Sequence, residues 1–187
     1  MNFEVEQKHR VDDEAALVAR LAECGAVLSP PITQSDQYFA HPSRDFAHTD
    51  EALRIRVVGD QAFVTYKGPK LDTATKTRRE LELPLDPSDA GGRRFAELLA
   101  ALGFTPVAVV TKQRRAFELL QAGRPVAGTL DTVEGLGTFV ELELLADEAG
   151  LAAAQVAITA LAGELELGPS ERRSYLEMLL AKPPADH

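Results

Sequence analysis

The chain has 187 residues, of which 45% are hydrophobic, and this size suits a single domain with a hydrophobic core. Its formal net charge of -9 argues against a nucleic-acid partner, so any site for an anion must be a local cluster of cations. The single cysteine excludes an internal disulfide, and no apolar run approaches the roughly 20 residues of a membrane span. We therefore expect a cytoplasmic globular protein without a membrane partner.

The first predicted element is a strand at residues 3–8, FEVEQK, because its charged and apolar residues alternate with period two. Glu4, Glu6 and Lys8 share one face, and the apolar residues point to the other. On an ordinary antiparallel sheet such a charged face is solvated, whereas in a closed barrel with a wet interior it lines the lumen. This stretch alone leaves both arrangements open.

Amphipathic spacing predicts the helices. In residues 88–102, Phe95, Leu98 and Leu102 follow the i, i+3, i+7 pattern, and Gly103 ends it. The predicted helices cover residues 12–24, 88–102, about 148–162 and 170–181.

The alternation of the first strand recurs in the later predicted strands. In LRIRV, Arg54 and Arg56 lie opposite the apolar residues, and a tight turn at Gly59-Asp60 leads into FVTYK, where Lys67 repeats the arrangement. KTRRELELPL, TKQRRAFEL and TFVELELL follow the same pattern. The acids on these charged faces are Glu4, Glu6, Glu80, Glu82, Asp131, Glu141 and Glu143, and the bases are Lys8, Arg54, Arg56, Lys67, Arg78, Lys112 and Arg114.

Repetition of the pattern favours a lumen over a solvated sheet. The helices need apolar partners, which the apolar sides of the strands supply, so the charged sides must face away from the helices. We therefore expect a set of apolar strand residues to be buried beneath helices while the charges line a lumen. That set is Phe3, Val5, Leu53, Ile55, Leu81, Leu83, Leu142 and Leu144.

The charged residues indicate the chemistry of the ligand. Cations that converge from several strands favour a compact polyanion, and the forked guanidinium group of arginine suits phosphate oxygens. Clustered carboxylates without histidine or cysteine ligands suit a hard cation such as Mg2+ or Mn2+. A polyphosphate with its divalent metal would satisfy both sets of charges.

The motif Glu4-x-Glu6-x-Lys8 resembles the E-x-E-x-K signature of the CYTH superfamily, the triphosphate tunnel metalloenzymes. This superfamily includes class IV adenylyl cyclases and thiamine triphosphatases. The resemblance extends in order along nearly the whole chain and is greatest to the branch named for class IV adenylyl cyclases. Its further blocks are SDQYF (35–39), HPSRDFAHTDEALRIR (41–56), TYKGPKLD (65–72), TKTRRELEL (75–83), TKQRR (111–115), LDTVEGLGTFVELE (130–143) and RRSYLEMLL (172–180).

The resemblance implies an α+β fold in which a closed eight-stranded antiparallel barrel forms a tunnel and the helices pack outside. We expect residues 1–182 to form this single domain and residues 183–187 to be a flexible tail. Glu80 and Glu82 would either hold metal or pair with the arginines. At matching positions, the metal candidates are Glu4, Glu6, Asp131, Glu141 and Glu143, and the triphosphate candidates are Lys8, Arg54, Arg56, Lys67, Arg78, Lys112 and Arg114.

The resemblance implies a class IV adenylyl cyclase-like enzyme that converts ATP to cyclic AMP and pyrophosphate, with Glu4, Glu6 and Lys8 as catalytic candidates. Lys8 would assist proton removal or only bind phosphate. A metal-dependent triphosphatase acting on thiamine triphosphate or tripolyphosphate is the alternative, and a non-catalytic nucleotide or polyphosphate sensor is the second. A homodimer is compatible with each. Tyr175, near the C-terminus, is interpreted as a packing residue.

Overall fold

The computed structural model describes residues 3–70, 78–87 and 90–182. Its strands are β1 (Phe3–Val11), β2 (Ile32–Ala40), β3 (Ala52–Val58), β4 (Gln61–Lys70), β5 (Arg78–Pro84), β6 (Thr105–Gln121), β7 (Arg124–Val133) and β8 (Gly137–Ala146). Its helices are α1 (Glu14–Glu23), α2 (Phe46–Thr49), α3 (Arg93–Ala101), α4 (Leu151–Glu164) and α5 (Tyr175–Leu180). None of these helices is both long enough and apolar enough to cross a membrane.

The described strands form one antiparallel sheet in the order β1-β8-β7-β6-β2-β3-β4-β5. Within the described residues, β1 and β5 are its edges and do not pair, so the closed barrel predicted from the sequence is wrong. The C-terminal segment occupies the outer edge of β1 instead. The amide of Glu171 donates to the carbonyl of Lys8 over 2.6 Å, and Ser170 bridges to His9. The sheet is therefore an open half-barrel.

The curl of the sheet is evident from two lysines that approach one aromatic ring. Lys8 on β1 and Lys112 on β6 lie 4.4 and 5.1 Å from the ring centre of Tyr175. Three strand spacings of about 4.8 Å each separate their strands along the sheet. The two side chains meet over one ring because the sheet bends around its charged face, which is the concave face.

The convex face carries most of the hydrophobic core. Helix α1 begins at Asp13, whose carboxylate accepts a hydrogen bond from the amide of Ala16, and α1 and α4 cover the convex side of β1, β8, β7 and β6. This core includes Val5, Leu17, Leu21, Phe117, Leu119, Val126, Leu130, Val140, Leu142, Leu144, Ile158 and Leu161.

The predicted burial of apolar strand residues is only partly correct. Val5, Ile55, Leu142 and Leu144 are buried and Leu53 is partly buried, whereas the side chain of Phe3 lies outside the described residues. Leu81 and Leu83 on β5 are 46% and 63% exposed, contrary to the prediction. The reason is that α3 packs against β2 and β3 through Leu99 and does not cover the edge strand β5.

Helix α5 lies on the concave face, so the prediction that the helices pack outside the sheet fails for this element. It begins at Ser174, which forms a capping box with Glu177, because the preceding residues run along the edge of β1 and cannot continue the predicted helix. Its buried residues Tyr175 and Met178 contact apolar side chains at one end of the concave face. These partners are Val110, Val133, Leu136 and Phe139.

Candidate functional site

Strand register arranges the concave face of β6, β7, β8 and β1 as rows of facing residues. From the α5 end outward, the rows contain Arg114 and Asp131; then Thr129, Glu141 and Lys8; then Ala127, Glu143 and Glu6. The rows nearest α5 are rich in cations, and the outermost row ends in carboxylates. Charge on this face is therefore separated along the strands.

The cationic zone is organised around Asp131, whose side chain is fully buried. Arg114 donates to both its carboxylate oxygens, over 2.7 and 2.5 Å, and Lys112 Nζ and Tyr175 Oη donate to Oδ2 over 3.0 and 3.1 Å. Burial alone would raise the pKa of Asp131, but the hydrogen bonds and positive charges of Arg114 and Lys112 lower it. Asp131 is thus an ionised carboxylate that fixes the positions of two cations.

Asp36 fixes the positions of two cations on β3, as Asp131 does on β6, and sequence reasoning missed it. Its buried carboxylate accepts two hydrogen bonds of 2.7 Å from Arg56 and one of 3.4 Å from Arg54. Burial opposes ionisation of Asp36, but the hydrogen bond from Arg56 and the nearby guanidinium charges lower its pKa. Asp36 faces Arg56 directly across the strand pair, a register that the sequence patterns do not reveal.

The cations of this zone outnumber its carboxylates. Buried Lys8 donates to the carbonyl of Arg173, and buried Arg54 has a side-chain Nε that bonds to no other group in the described residues. Burial and the adjacent Arg114 lower the pKa of Lys112 to about 8. A buried donor without a partner is unfavourable unless an anion binds there. The zone holds the cations Lys8, Arg54, Arg56, Lys112 and Arg114 against the acids Asp36, Asp131 and Glu141.

Glu80 and Glu82 on β5 each contact a side chain of β4. Lys67 Nζ lies 2.8 Å from Glu80 Oε2, and the hydroxyl of Thr65 donates to Glu82 over 3.0 Å. Among the described side chains, Glu80 therefore pairs with Lys67. The side chain of Arg78 lies outside the described residues.

The acidic zone consists of Glu4, Glu6 and Glu143 at the open end of β1 and β8. Burial, a hydrogen bond with Glu4 and the charges of Glu4, Glu6 and Glu141 raise the pKa of Glu143 to about 8. These carboxylates are thus close enough to repel one another, and near neutral pH Glu143 retains its proton.

The acidic zone fits a divalent metal by its chemistry, since carboxylate oxygens are the donors that Mg2+ and Mn2+ prefer. Within the part of the chain that the structure describes, no three His, Cys, Asp or Glu side chains are already arranged to hold an ion. Binding would therefore require the glutamates to draw together as the proton leaves Glu143.

A family model for the CYTH domain matches residues 2–175. The chain belongs to the CYTH family. A relative from Aeromonas hydrophila, adenylate cyclase CyaB, is 31% identical over 153 residues, which are 80% of this chain and 72% of that protein.

Solved structures share the CYTH fold of this chain. The PH1819 protein of Pyrococcus horikoshii is 39% identical, with a TM-score of 0.79 over 95% of this chain and 98% of that one. HpAC1 from Hippeastrum, described as revealing a dominant triphosphatase activity, is 18% identical, with a TM-score of 0.63 over 99% and 100% of the chains. At that identity the likeness shows the fold alone.

The structure sorts the sequence-predicted site residues of this CYTH protein into groups. Glu4, Glu6 and Glu143 form the acidic zone. Asp131 was also predicted to bind metal, but its two carboxylate oxygens accept hydrogen bonds from cations and from Tyr175. Glu141, in the cationic zone, accepts a hydrogen bond of 2.7 Å from Arg114, and its charge also acts on Glu143 in the acidic zone. The interpretation of Tyr175 as a packing residue was incomplete, because its hydroxyl and ring contact Asp131, Lys8 and Lys112. All these metal and triphosphate roles remain predictions.

Proposed function

We propose that this CYTH protein is a class IV adenylyl cyclase-like enzyme, which forms cyclic AMP and pyrophosphate from ATP with a divalent metal. One observation carries the proposal. The concave face places a surplus of buried cations directly beside the clustered carboxylates Glu4, Glu6 and Glu143. Such a division of charge is complementary to a triphosphate and its metal, and the name of the Aeromonas relative favours the cyclase reaction.

The residues of the cationic zone would bind and orient the triphosphate. Asp36 and Asp131 hold Arg56 and Arg114 by paired hydrogen bonds, so these guanidinium groups need little rearrangement when phosphate oxygens arrive. Lys112 would add a buried positive charge close to Arg114 and Asp131. Preorganised charge of this kind stabilises the pyrophosphate as it departs.

The acidic zone would hold Mg2+ or Mn2+ through Glu4, Glu6 and Glu143. A bound metal supplies activation of the attacking hydroxyl group and neutralisation of phosphate charge. In the cyclase reaction the 3'-hydroxyl oxygen bonds to the α phosphorus, the bond from that phosphorus to the bridging oxygen breaks, and the hydroxyl proton is released. Lys8, the cation of this zone that shares β1 with Glu4 and Glu6, stays a candidate for phosphate binding or for assisting proton removal.

Triphosphate hydrolysis is the second candidate, because the same charges stabilise either reaction and the fold relative HpAC1 is described as a triphosphatase. The test is incubation with ATP, thiamine triphosphate or tripolyphosphate in Mg2+ or Mn2+, followed by separation of the products. We expect cyclic AMP and pyrophosphate from ATP. Orthophosphate from all three would indicate a triphosphatase, and binding without turnover would indicate a sensor.

A further inference from the structure

A buried histidine, His9, lies where the last part of the chain meets the edge of the sheet. Its side chain is on the convex side of β1, together with Val5 and Val11 of the hydrophobic core, and only 4% of the residue is exposed. It therefore points away from the candidate site. Histidine is the side chain whose charge normally changes between about pH 5 and 8, so the protonation of His9 can alter how neighbouring elements attach to each other.

Both ring nitrogens of His9 face oxygen atoms. Nδ1 lies 2.7 Å from the carbonyl oxygen of Gly168, and Nε2 lies 3.3 Å from Oε1 of Gln7. The amide of Gln7 is oriented by α4, because its Nε2 donates to Oγ1 of Thr159 over 3.1 Å. Carbonyl and amide oxygens accept hydrogen bonds and do not donate them. Both contacts are hydrogen bonds only when both ring nitrogens carry hydrogen, whereas a neutral ring leaves one contact without a hydrogen atom.

His9 thereby joins β1 to the edge segment, which we define as residues 168–174. The amide of Glu171 in this segment donates to the carbonyl of Lys8, and the ring of His9 contacts the carbonyl of Gly168. The edge segment thus lies along β1 through contacts on both sides of the strand, and one of them belongs to a titratable side chain.

The edge segment also leads into the cationic zone. The carbonyl of Arg173 accepts a hydrogen bond from the ammonium group of Lys8. Tyr175, the first residue of α5, follows directly and donates to Asp131. Detachment of the edge segment from β1 would therefore remove partners from Lys8 and Asp131 at the same time.

The residues that the structure places against His9 are uncharged. They are Gln7 on β1, Val140 opposite on β8, Thr159 on α4, and Gly168. Within residues 3–70, 78–87 and 90–182, His9 forms no ion pair. The hydrogen bonds to the two oxygen atoms are thus the direct contacts that its protonation changes.

The charged side chains of the same elements lie on the other face of the sheet or contact other groups. Those of β1 and β8 are on the concave face, and they are Glu4, Glu6, Lys8, Arg10, Glu141 and Glu143. On α4 and the residues after it, Glu164 accepts from Gln121, Glu166 pairs with Arg20, Glu171 pairs with Arg173, and Arg172 is exposed.

We propose that protonation of His9 clamps the edge segment to β1, so that attachment of the C-terminal part of the chain depends on pH. The imidazolium ring donates to Gly168 and Gln7 together, and the neutral ring donates to one of them. As pH rises and His9 loses its proton, the edge segment detaches more often and releases Lys8 and Tyr175 from their contacts. This device does not rest on the proposed function, since it concerns the attachment of the chain and not the ligand.

Hydrogen exchange of the full chain, followed by mass spectrometry, measures this attachment because amide protection reports local opening. Protection of the edge segment is compared at about pH 5 and pH 8, after correction for the intrinsic exchange rates. The peptide of α4 (Leu151–Glu164) reports any change in global stability. Relative to α4, we expect the edge segment of the wild-type protein to be about threefold to tenfold better protected at the lower pH, which is the effect of one net hydrogen bond.

Two variants remove the pH dependence in different ways. His9→Gln keeps a donor beside Gly168 but does not titrate, so its edge segment should be protected equally at both pH values. Gln7→Met removes the second acceptor at a half-buried position, so it should fold, and protonation of His9 should no longer increase protection. His48→Gln, at an exposed position on α2, is the matched control and should retain the wild-type difference.

Three results would overturn the clamp. The first is equal protection of the wild-type edge segment at both pH values. The second is a pH difference that persists in both His9→Gln and Gln7→Met. The third is greater protection at the higher pH, which would show that Gln7 presents its amino group to a neutral ring.

Discussion

The hydroxyl group of Tyr175 donates a hydrogen bond to Oδ2 of Asp131 over 3.1 Å, at the centre of the cationic zone. Burial and the nearby carboxylates Glu141 and Asp131 raise the pKa of this tyrosine, so it remains a neutral donor. Its ring lies against Lys8 and Lys112 at the same time. A residue of the C-terminal helix thereby closes one end of the concave face and orients groups from β1, β6 and β7.

Replacing Tyr175 should separate its hydrogen bond from its packing. Tyr175→Phe keeps the ring but removes one donor from a buried carboxylate, so we expect a loss of about 1–2 kcal/mol in the free energy of unfolding. Tyr175→Ala also removes the ring and should lose about 3–5 kcal/mol. Urea denaturation measures both. Equal losses in the two variants would show that the hydroxyl carries the whole effect and the ring contacts none of it.

Arg54 and Arg56 should differ although they lie on one strand. Arg54 has a buried Nε without a partner among the described residues, so Arg54→Ala should weaken triphosphate binding by about ten- to a hundredfold with a smaller cost in stability. Arg56→Ala leaves Asp36 without its main partner and should cost about 3–5 kcal/mol in stability. Calorimetric titration and urea denaturation measure the two effects. Unchanged affinity in Arg54→Ala would remove this residue from the anion site.

The carboxylates of the acidic zone should matter for turnover more than for folding. Glu4→Gln, Glu6→Gln and Glu143→Gln should each lower metal-dependent turnover by about a hundredfold or more, because even outer-shell changes at metal sites cost about 10–100-fold. Glu134→Gln, at an exposed position, is the control. Product formation at saturating Mg2+ and thermal unfolding of the same samples provide the comparison. Full activity in the three zone variants would rule out the metal assignment.

Stability of the metal-free protein should fall as pH rises from about 5 to 8. The pKa of Glu143 is raised from 4.5 to about 8 on folding, so its contribution is complete below pH 4.5 and is lost as pH rises through 8. Glu143→Gln should flatten this slope, and saturating Mg2+ should reverse the loss because the cation replaces the proton. Melting temperatures at several pH values test this. An identical slope in Glu143→Gln would mean that other groups cause it.

Titration of Lys112 changes the stability of the protein in the opposite direction, at higher pH. Its folded pKa is lowered to about 8 from 10.5, so stability contributed by this group rises between those values. The series of melting temperatures that tests Glu143 should therefore stop near pH 8, because the contribution of Lys112 begins to change above that pH.

Alternation along the strands predicted much of the concave face, because period two is a local property of the chain. It placed Glu6, Lys8, Arg56, Lys112 and Arg114 on one surface, as the register confirms. Sequence analysis did not identify Asp36, because it is a single acid in SDQYF and no neighbouring charge marks the alternation.

The sequence patterns could not predict which distant segments of the chain pair with each other. Nothing in residues 168–173 shows that they run along β1, so the closed barrel was expected where an open sheet with a covered edge occurs. The apolar residues of α5 satisfy a helix pattern on either side of the sheet, and only the apolar end of the concave face decides its position. Leu81 and Leu83 likewise follow the strand pattern, although the helices among the described residues leave both exposed.

Metal-dependent binding of a triphosphate tests the central claim most directly, since the claim is that buried cations and a carboxylate cluster act together on one ligand. The measurement is calorimetric titration of the wild-type protein with α,β-methylene ATP, first without divalent metal and then with Mn2+. The account predicts one binding site per chain and an affinity at least about tenfold higher with Mn2+, equivalent to 1.4 kcal/mol. Absence of binding under both conditions, or binding that Mn2+ leaves unchanged, would contradict it.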